Sequence, residues 1–264
     1  MSDLPLTLAI GDYVHTRELA AGRIKPEGID LRVLNHPFEL IAYRFLASQE
    51  WEVSEFSLAT YCTFVAQGNS PMIGLPIFPS RVFRHGSIYV PRDSKIKSAA
   101  DLKGKRIGIP QWTQTAVTYV RGWLQHDIGV PLTSIEWIQA GVNDAGRKEM
   151  APIMHVVVMR RDVFEATRWI ARNLLEAFEK AKRACMPALY QGQISFLPTA
   201  WSHDHIEQTN RVLFPDGDPW PYGIEKNRKT LEPFLTFCHE QGVTKRKLTV
   251  EELFPKEVHG ELKI

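Results

Sequence analysis

The sequence is poor in the features that announce many protein classes. It has three cysteines, Cys62, Cys185 and Cys238, odd in number, far apart and without a CxxC spacing. That pattern excludes a disulfide framework and favours reduced, buried thiols in a cytoplasm. No run of about 18 apolar residues free of charge occurs, so no membrane span is expected. Charge of one sign is also missing. Thirty-two Lys and Arg balance thirty Asp and Glu, leaving no field to hold nucleic acid or an anionic membrane, and the triplet Lys245–Arg246–Lys247 reads as a solvated loop. Met1 to Ile10 lacks a basic start and a long apolar stretch, so it reads as a first strand rather than a secretory signal. No repeat of fixed period and no low-complexity linker is found. There is no GxGxxG after a strand, no GxxxxGK[ST], no GxSxG and no HExxH, which removes the main support for dinucleotide, nucleotide, serine-hydrolase and zincin readings.

What remains is a soluble globular chain of 264 residues, 44% hydrophobic, enough for one large or two modest domains at roughly 100–200 residues each. Leu6–Ile10 and Ile29–Leu34 read as strands and Arg17–Ala21, Phe38–Gln49 and Ser57–Gln67 as helices, the last capped by Ser57. The first 70 residues thus spell β-α-β-α-α. Met72–Leu75 is a further apolar run. The proline-bracketed, basic stretch from Pro76 to Gly86 then leads to a strand Ser87–Val90, as a chain crossing from one lobe to another does. A short helix over 98–104, a strand over 105–109, a helix over 115–126 and a strand over 135–138 continue the alternation. The natural reading is a parallel sheet with flanking helices. His155–Met159 is a β-branched strand, followed by a long helix from Val163 to Cys185, an aromatic-rich helical stretch including 205–213, and a helix Ile224–Glu240.

In open α/β sheets, ligands bind outside the carboxyl ends of the strands. Four loops fall there. The first carries Asp12, Tyr13, His15, Thr16 and Arg17, the second His36 and Glu39, the crossover Arg81, Arg84 and His85, and the fourth Gln111, Thr113, Gln114 and Thr115. Helix starts follow three of them, where free N–H groups suit an anion. Cation-rich loops facing helix starts point to a small carboxylate. Each residue also has a structural alternative: Asp12 and Thr16 as caps, Arg17 in a surface pair, Arg81 and Arg84 in hinge salt bridges. The cluster of two arginines and a histidine in residues 81–85 is the hardest to explain structurally, since Arg can grip a carboxylate bidentately and His titrates near neutrality. His203-x-His205 beside Asp204 has metal-ligand character, but a cap with solvent contacts is the commoner use of such residues, and no metal is expected.

Several strings carry a resemblance. Gly11-Asp-Tyr-Val-His-Thr-Arg17, Gly22-Arg-Ile with Gly28-Ile-Asp-Leu31, Val53-Ser-Glu-Phe-Ser-Leu58, Phe78-Pro-Ser-Arg-Val-Phe-Arg-His85, Ile88-Tyr-Val90, Asp101-Leu-Lys-Gly-Lys-Arg106, Val120-Arg-Gly122, Pro152-Ile-Met-His155 and Asp218-Pro-Trp-Pro-Tyr-Gly223 together resemble the 4,5-dihydroxyphthalate decarboxylase family. The likeness covers nearly the whole chain. It implies an α/β fold of the type II periplasmic-binding-protein kind, two lobes around a cleft, and a cytoplasmic carboxy-lyase of aromatic catabolism. Residues 1–79 with 151–264 would form lobe one with its C-terminal helices, and 80–150 lobe two. In the resembled family several tens of residues separate the stretches corresponding to Gly146-Arg-Lys-Glu149 and Pro152-Ile-Met-His155; here only Met150 and Ala151 do. Lobe two is therefore expected to be shortened, with reduced activity or a repacked lobe.

The chemistry implied is decarboxylation of 4,5-dihydroxyphthalate to protocatechuate without a cofactor. A base takes the proton of the phenol para to the leaving carboxylate, a proton reaches the ring carbon, and carbon dioxide departs from a dienone-like intermediate. His is the commonest group for such transfers. His85 and His36 are the candidates for proton transfer, Arg81 and Arg84 for the carboxylate anchor, and Asp12, Tyr13 and Glu39 for orientation. Gln111, Thr113 and Thr115 are further binding candidates, and Trp220 and Tyr222 could cover the ring, although a proline-rich aromatic turn is more often a packing plug. His155 suits a hinge or core role at least as well as catalysis. The partner expected is a small aromatic carboxylate, with neither nucleic acid nor membrane, and homo-oligomerisation is compatible with this reading. The alternative is a non-catalytic solute-binding protein for an aromatic acid or a pyrimidine-like ligand.

Overall fold

The computed structural model describes residues 3–82, 84–140, 155–190 and 220–260, with 204, 207, 208, 211, 212, 217 and 218 between. The Met150–Ala151 junction, His203 and His205, and most of the helix expected over 205–213 lie outside the described residues.

Strands β1 (Leu4–Ile10), β2 (Ile29–Asn35), β3 (Val53–Ser57), β4 (Met72–Leu75) and β7 (His155–Arg160) form one sheet in the order β2-β1-β3-β7-β4. β1 runs parallel to β2 and β3, while β7 is antiparallel to both β3 and β4. The expectation of a parallel sheet is corrected at one strand: the chain returning to this sheet inserts a reversed strand between β3 and β4. Val156, Val157 and Val158 suit that place, because a central strand is covered on both faces and these three are fully buried. β3 also escapes the β-α-β-α-α reading. Ser54, Glu55 and Ser57 interrupt its apolar pattern, yet all five residues of the strand are buried. Pro5 is tolerated because the start of β1 pairs only with β2.

Helices α1 (Arg17–Ala20), α2 (Phe38–Ser48) and α3 (Leu58–Gln67) follow the first three strands of this sheet. Ser57 caps α3 as expected, its side chain accepting from the Thr60 N–H at 3.5 Å. The long helix expected from Val163 is two: α5 (Arg161–Ala166) and α6 (Ile170–Tyr190). The core joins the sheet to Ile41 and Phe45 of α2 and to Leu174, Leu175 and Phe178 of α6.

The second unit holds β5 (Arg106–Ile109) and β6 (Glu136–Gln139), paired in parallel, with α4 (Thr115–His126). A small core of Leu102, Leu124, Val130 and Ile135 sits beneath them. The strand expected over 87–90 is instead a single helical turn, His85–Ser87, followed by irregular chain, with Tyr89 largely exposed. Among the described residues no strand lies beside Ile88 and Val90 for them to pair with. The units meet where α4 packs on α7 (Arg228–Glu240). Gly122 permits that contact, because a Cβ there would come within 2.3 Å of the Phe237 ring. Beside it, Arg121 donates from Nε to Gln241 Oε1 at 2.8 Å and from Nη2 to the Trp112 carbonyl at 2.7 Å, stacking 3.6 Å over the Trp112 ring. Among the described residues no helix is long and apolar enough to cross a membrane.

Candidate active site

The site begins with a carboxylate inside the sheet. Side chains of β3 alternate, so Glu55 and Ser57 share a face, and the antiparallel register sets His155 opposite Ser57 and diagonal to Glu55. Glu55 is fully buried and accepts three hydrogen bonds. The Gly11 N–H donates to Oε2 at 2.8 Å, the Tyr13 hydroxyl to Oε1 at 2.6 Å, and His155 bonds the same Oε1 through Nδ1. The Phe38 ring stacks on the imidazole, 3.5 Å between centroids and 10° between planes, fixing its orientation. Burial, the Glu55 charge and the Glu55 hydrogen bond push the Tyr13 phenol well above its ordinary value, so it remains a donor.

The second component is the crossover. Arg81 donates from Nη2 to the Pro221 carbonyl at 2.8 Å and to Asn227 Oδ1, and lies 5.3 Å over the Phe78 ring. Burial lowers its pKa, and its buried Nε has no partner among the described residues. Asp218 and residues 220–223 are built against this crossover. Trp220 Nε1 donates to the Phe78 carbonyl at 2.9 Å and the Gly223 N–H to the Pro76 carbonyl at 2.8 Å. Lys182, almost fully buried, anchors the strap through Asp218 at 2.9 Å and the Trp220 carbonyl at 3.1 Å, and is itself paired with Glu179 of its own helix at 2.9 Å. The strings that begin at Phe78 and at Asp218 are therefore halves of one joint.

Between carboxylate and crossover lies a narrow cleft, partly open to solvent. Phe78, Ser80 and Arg81 form one wall; His155, Leu58 and the start of α7 around Asn227 form the others. His15 lies in the same neighbourhood, its ring 4.9 Å from Trp220, 5.4 Å from Tyr13 and 6.3 Å from Tyr222. Burial, aided by Lys182 and Arg81 and opposed by Glu55, lowers its pKa to about 4, so the ring is neutral at pH 7.

Of the residues nominated from sequence, Tyr13, Arg81, Trp220 and Tyr222 come together here. Trp220 and the buried Tyr222 are parts of the strap, with Lys182 Nζ 5.1 Å over the Tyr222 ring. Asp12 is exposed and paired with Arg17 at 3.2 Å. Glu39 is exposed at the start of α2. His36 is half-buried at the end of β2, 6.3 Å from Trp51. Arg84 is half-buried, and burial lowers its pKa; the side chain of His85 lies outside the described residues. Gln111 and Thr113 are half-buried in the loop before α4. Thr115 is a joint: its hydroxyl accepts from the Ala59 N–H at 3.0 Å and sits 3.2 Å from Ser57 Oγ, tying α4 to α3. Sequence reasoning passed over Glu55 altogether. Its signal was a lone charge within a strand-length segment, Val53–Ser57, inside one of the strings that carry the resemblance.

A five-stranded sheet with a reversed strand, a smaller unit and a cleft at the strand ends define a periplasmic-binding-protein fold. Solved structures bear this out. A periplasmic sulfonate-binding protein of Methylobacillus flagellatus matches with a TM-score of 0.58 at 14% identity, covering 97% of this chain and 92% of its own. The aliphatic sulphonate binding protein of Escherichia coli matches at 0.55 and 13%, covering 100% and 95%. A Candida albicans gene product with the generic periplasmic binding protein fold gives 0.54 at 13%, covering 100% and 99%. At these identities the likeness is one of fold. No family model matches the chain.

Sequence narrows the class. The chain is 28% identical to the 4,5-dihydroxyphthalate decarboxylase of Comamonas testosteroni, covering 96% of this chain and 97% of that one. It is 41% identical to the 4,5-dihydroxyphthalate decarboxylase of Pseudomonas putida over 149 residues, 56% of this chain and 58% of the other. The chain is thus a relative of the 4,5-dihydroxyphthalate decarboxylases. The first alignment spans 322 positions, 58 more than the chain has residues, so at least that many positions of the Comamonas enzyme face gaps here. This agrees with a shortened chain.

Proposed function

We propose that the chain is a cytoplasmic carboxy-lyase that converts 4,5-dihydroxyphthalate to protocatechuate, without a cofactor, in the cleft that the large sheet, α7 and the crossover enclose. The observation that carries the reading is the relationship to the Comamonas decarboxylase along almost the whole of both chains. The cleft is compatible with it. Arg81 presents a buried donor, Nε, with no partner among the described residues, and a retained ring carboxylate would complete it at the cost of no other bond. Arg84 is the second cation proposed for the anchor, Trp220 lends an aromatic face beside it, and His36 and His85 are the proposed bases for the phenol. Lobe one would comprise 1–79 and 151–264, and lobe two the shortened 80–150.

The test is incubation with 4,5-dihydroxyphthalate, with protocatechuate and released carbon dioxide as readouts. Product formation that falls tenfold or more in Arg84→Ala and His85→Ala, about 1.4 kcal/mol of transition-state stabilisation each, supports the reading and those roles. Binding without product over hours would replace it by a solute-binding function. A turnover rate matching full-length relatives would remove the proposed cost of the shortened lobe.

A further inference from the structure

Resting on that reading, we infer that His155, held by Glu55, is the group that delivers the proton to the ring carbon bearing the departing carboxylate. His155 lines the same cleft as Arg81. Its Nδ1 is tied to a buried carboxylate and its plane is fixed by the stacked Phe38 ring, so the opposite ring nitrogen, Nε2, has a set direction. A carboxylate on Nδ1 fixes the tautomer and stabilises the imidazolium that an acid catalyst must hold. Tyr13 and the Gly11 N–H lock the carboxylate in turn. Among the described residues, the groups around the imidazole include Glu55 from β3, Tyr13 on the same carboxylate oxygen, Arg81 across the cleft, and the uncharged Phe38 on its face.

The step balances. An electron pair of the ring forms a C–H bond with the Nε2 proton at the carbon carrying the carboxylate, leaving neutral His155 with its proton on Nδ1. The C–C bond then breaks, carbon dioxide leaves, and that pair restores the aromatic ring. Solvent returns one proton to Nε2. Glu55 is a positioning residue: it touches His155, not the substrate.

Microscopic reversibility supplies a test that does not require carbon dioxide release. In D₂O the protein should exchange the ring hydrogen of protocatechuate at the vacated carbon. His155→Gln, which can keep a donor toward Glu55, should lose both exchange and decarboxylation by about 100-fold or more, while Glu55→Gln should move the basic limb of the kcat–pH profile to lower pH, a change a merely structural role would not produce. A folded His155→Gln protein that exchanges and decarboxylates like wild type would overturn the inference. If that variant fails to fold, nitrogen-resolved NMR of the wild-type histidines with saturating phthalate decides instead: a shift of the His155 Nε2 signal supports the role, and a bound ligand without one refutes it. Wild-type inactivity on 4,5-dihydroxyphthalate strikes at the decarboxylase reading; turnover surviving in His155→Gln strikes only at this inference.

Discussion

Acid should destabilise this protein through His15, and by a calculable amount. The ring is 7% exposed and packed among Tyr13, Trp220 and Tyr222. Its pKa falls from 6.5 to about 4, first through burial and then through Lys182 and Arg81. A depressed histidine pKa means that below pH 6.5 the unfolded chain binds a proton the folded one refuses, so stability is lost as pH falls from 6.5 toward 4. The full loss is about 3 kcal/mol, from roughly 1.4 kcal/mol per pKa unit, and about 2 kcal/mol of it should be gone by pH 5. His15→Phe keeps a ring of similar shape and removes the titration. Urea unfolding of both proteins at pH 7.5, 6 and 5 isolates the contribution, because every other titrating group is common to the pair. The wild type should lose about 2 kcal/mol relative to the variant over that range. Stability curves that stay parallel would show that His15 is protonated as easily in the folded as in the unfolded chain, and the buried, cation-flanked picture would be wrong.

Other expectations follow from the packing. Lys182→Met leaves Glu179 and Asp218 without the ammonium between them; denaturant unfolding should show a loss of about 3–5 kcal/mol, the usual result of breaking one side of a buried pair. Released Trp220 should then change its fluorescence. Gly122→Ala forces the Phe237 ring to move and should cost about 1–3 kcal/mol, as overpacking does, with Gly122→Ala/Phe237→Ala regaining part of it in the same assay. Arg81→Lys keeps the charge but loses the fork that reaches Pro221, Asn227 and the cleft together. Its KM for 4,5-dihydroxyphthalate should rise about tenfold or more, since a planar bidentate grip is not replaced by an ammonium; an unchanged KM would take the carboxylate anchor away from Arg81.

The amino-acid sequence by itself determined the α/β character, most element positions, the cap at Ser57 and the strings that relate the chain to a decarboxylase family. Each of these depends on residues close together along the chain, where periodicity, turn chemistry and short motifs operate. Tertiary structure decided what lay between distant segments. That β7 enters the sheet reversed, between β3 and β4, is a matter of pairing across about a hundred positions, and no local pattern records strand direction. The same pairing sets His155 beside Glu55, which turns a charge that spoils a strand pattern and a histidine at a strand's start into a buried hydrogen-bonded pair. The turn at 218–223 looked like a plug or a ring cover, and only its bonds to Phe78, Pro76 and Lys182 show that it holds the crossover in place. A single buried charge or orphaned donor is costly, so such groups are stable only where folding supplies partners from elsewhere in the chain; the site is built from those partnerships, and they exist only once the chain has folded.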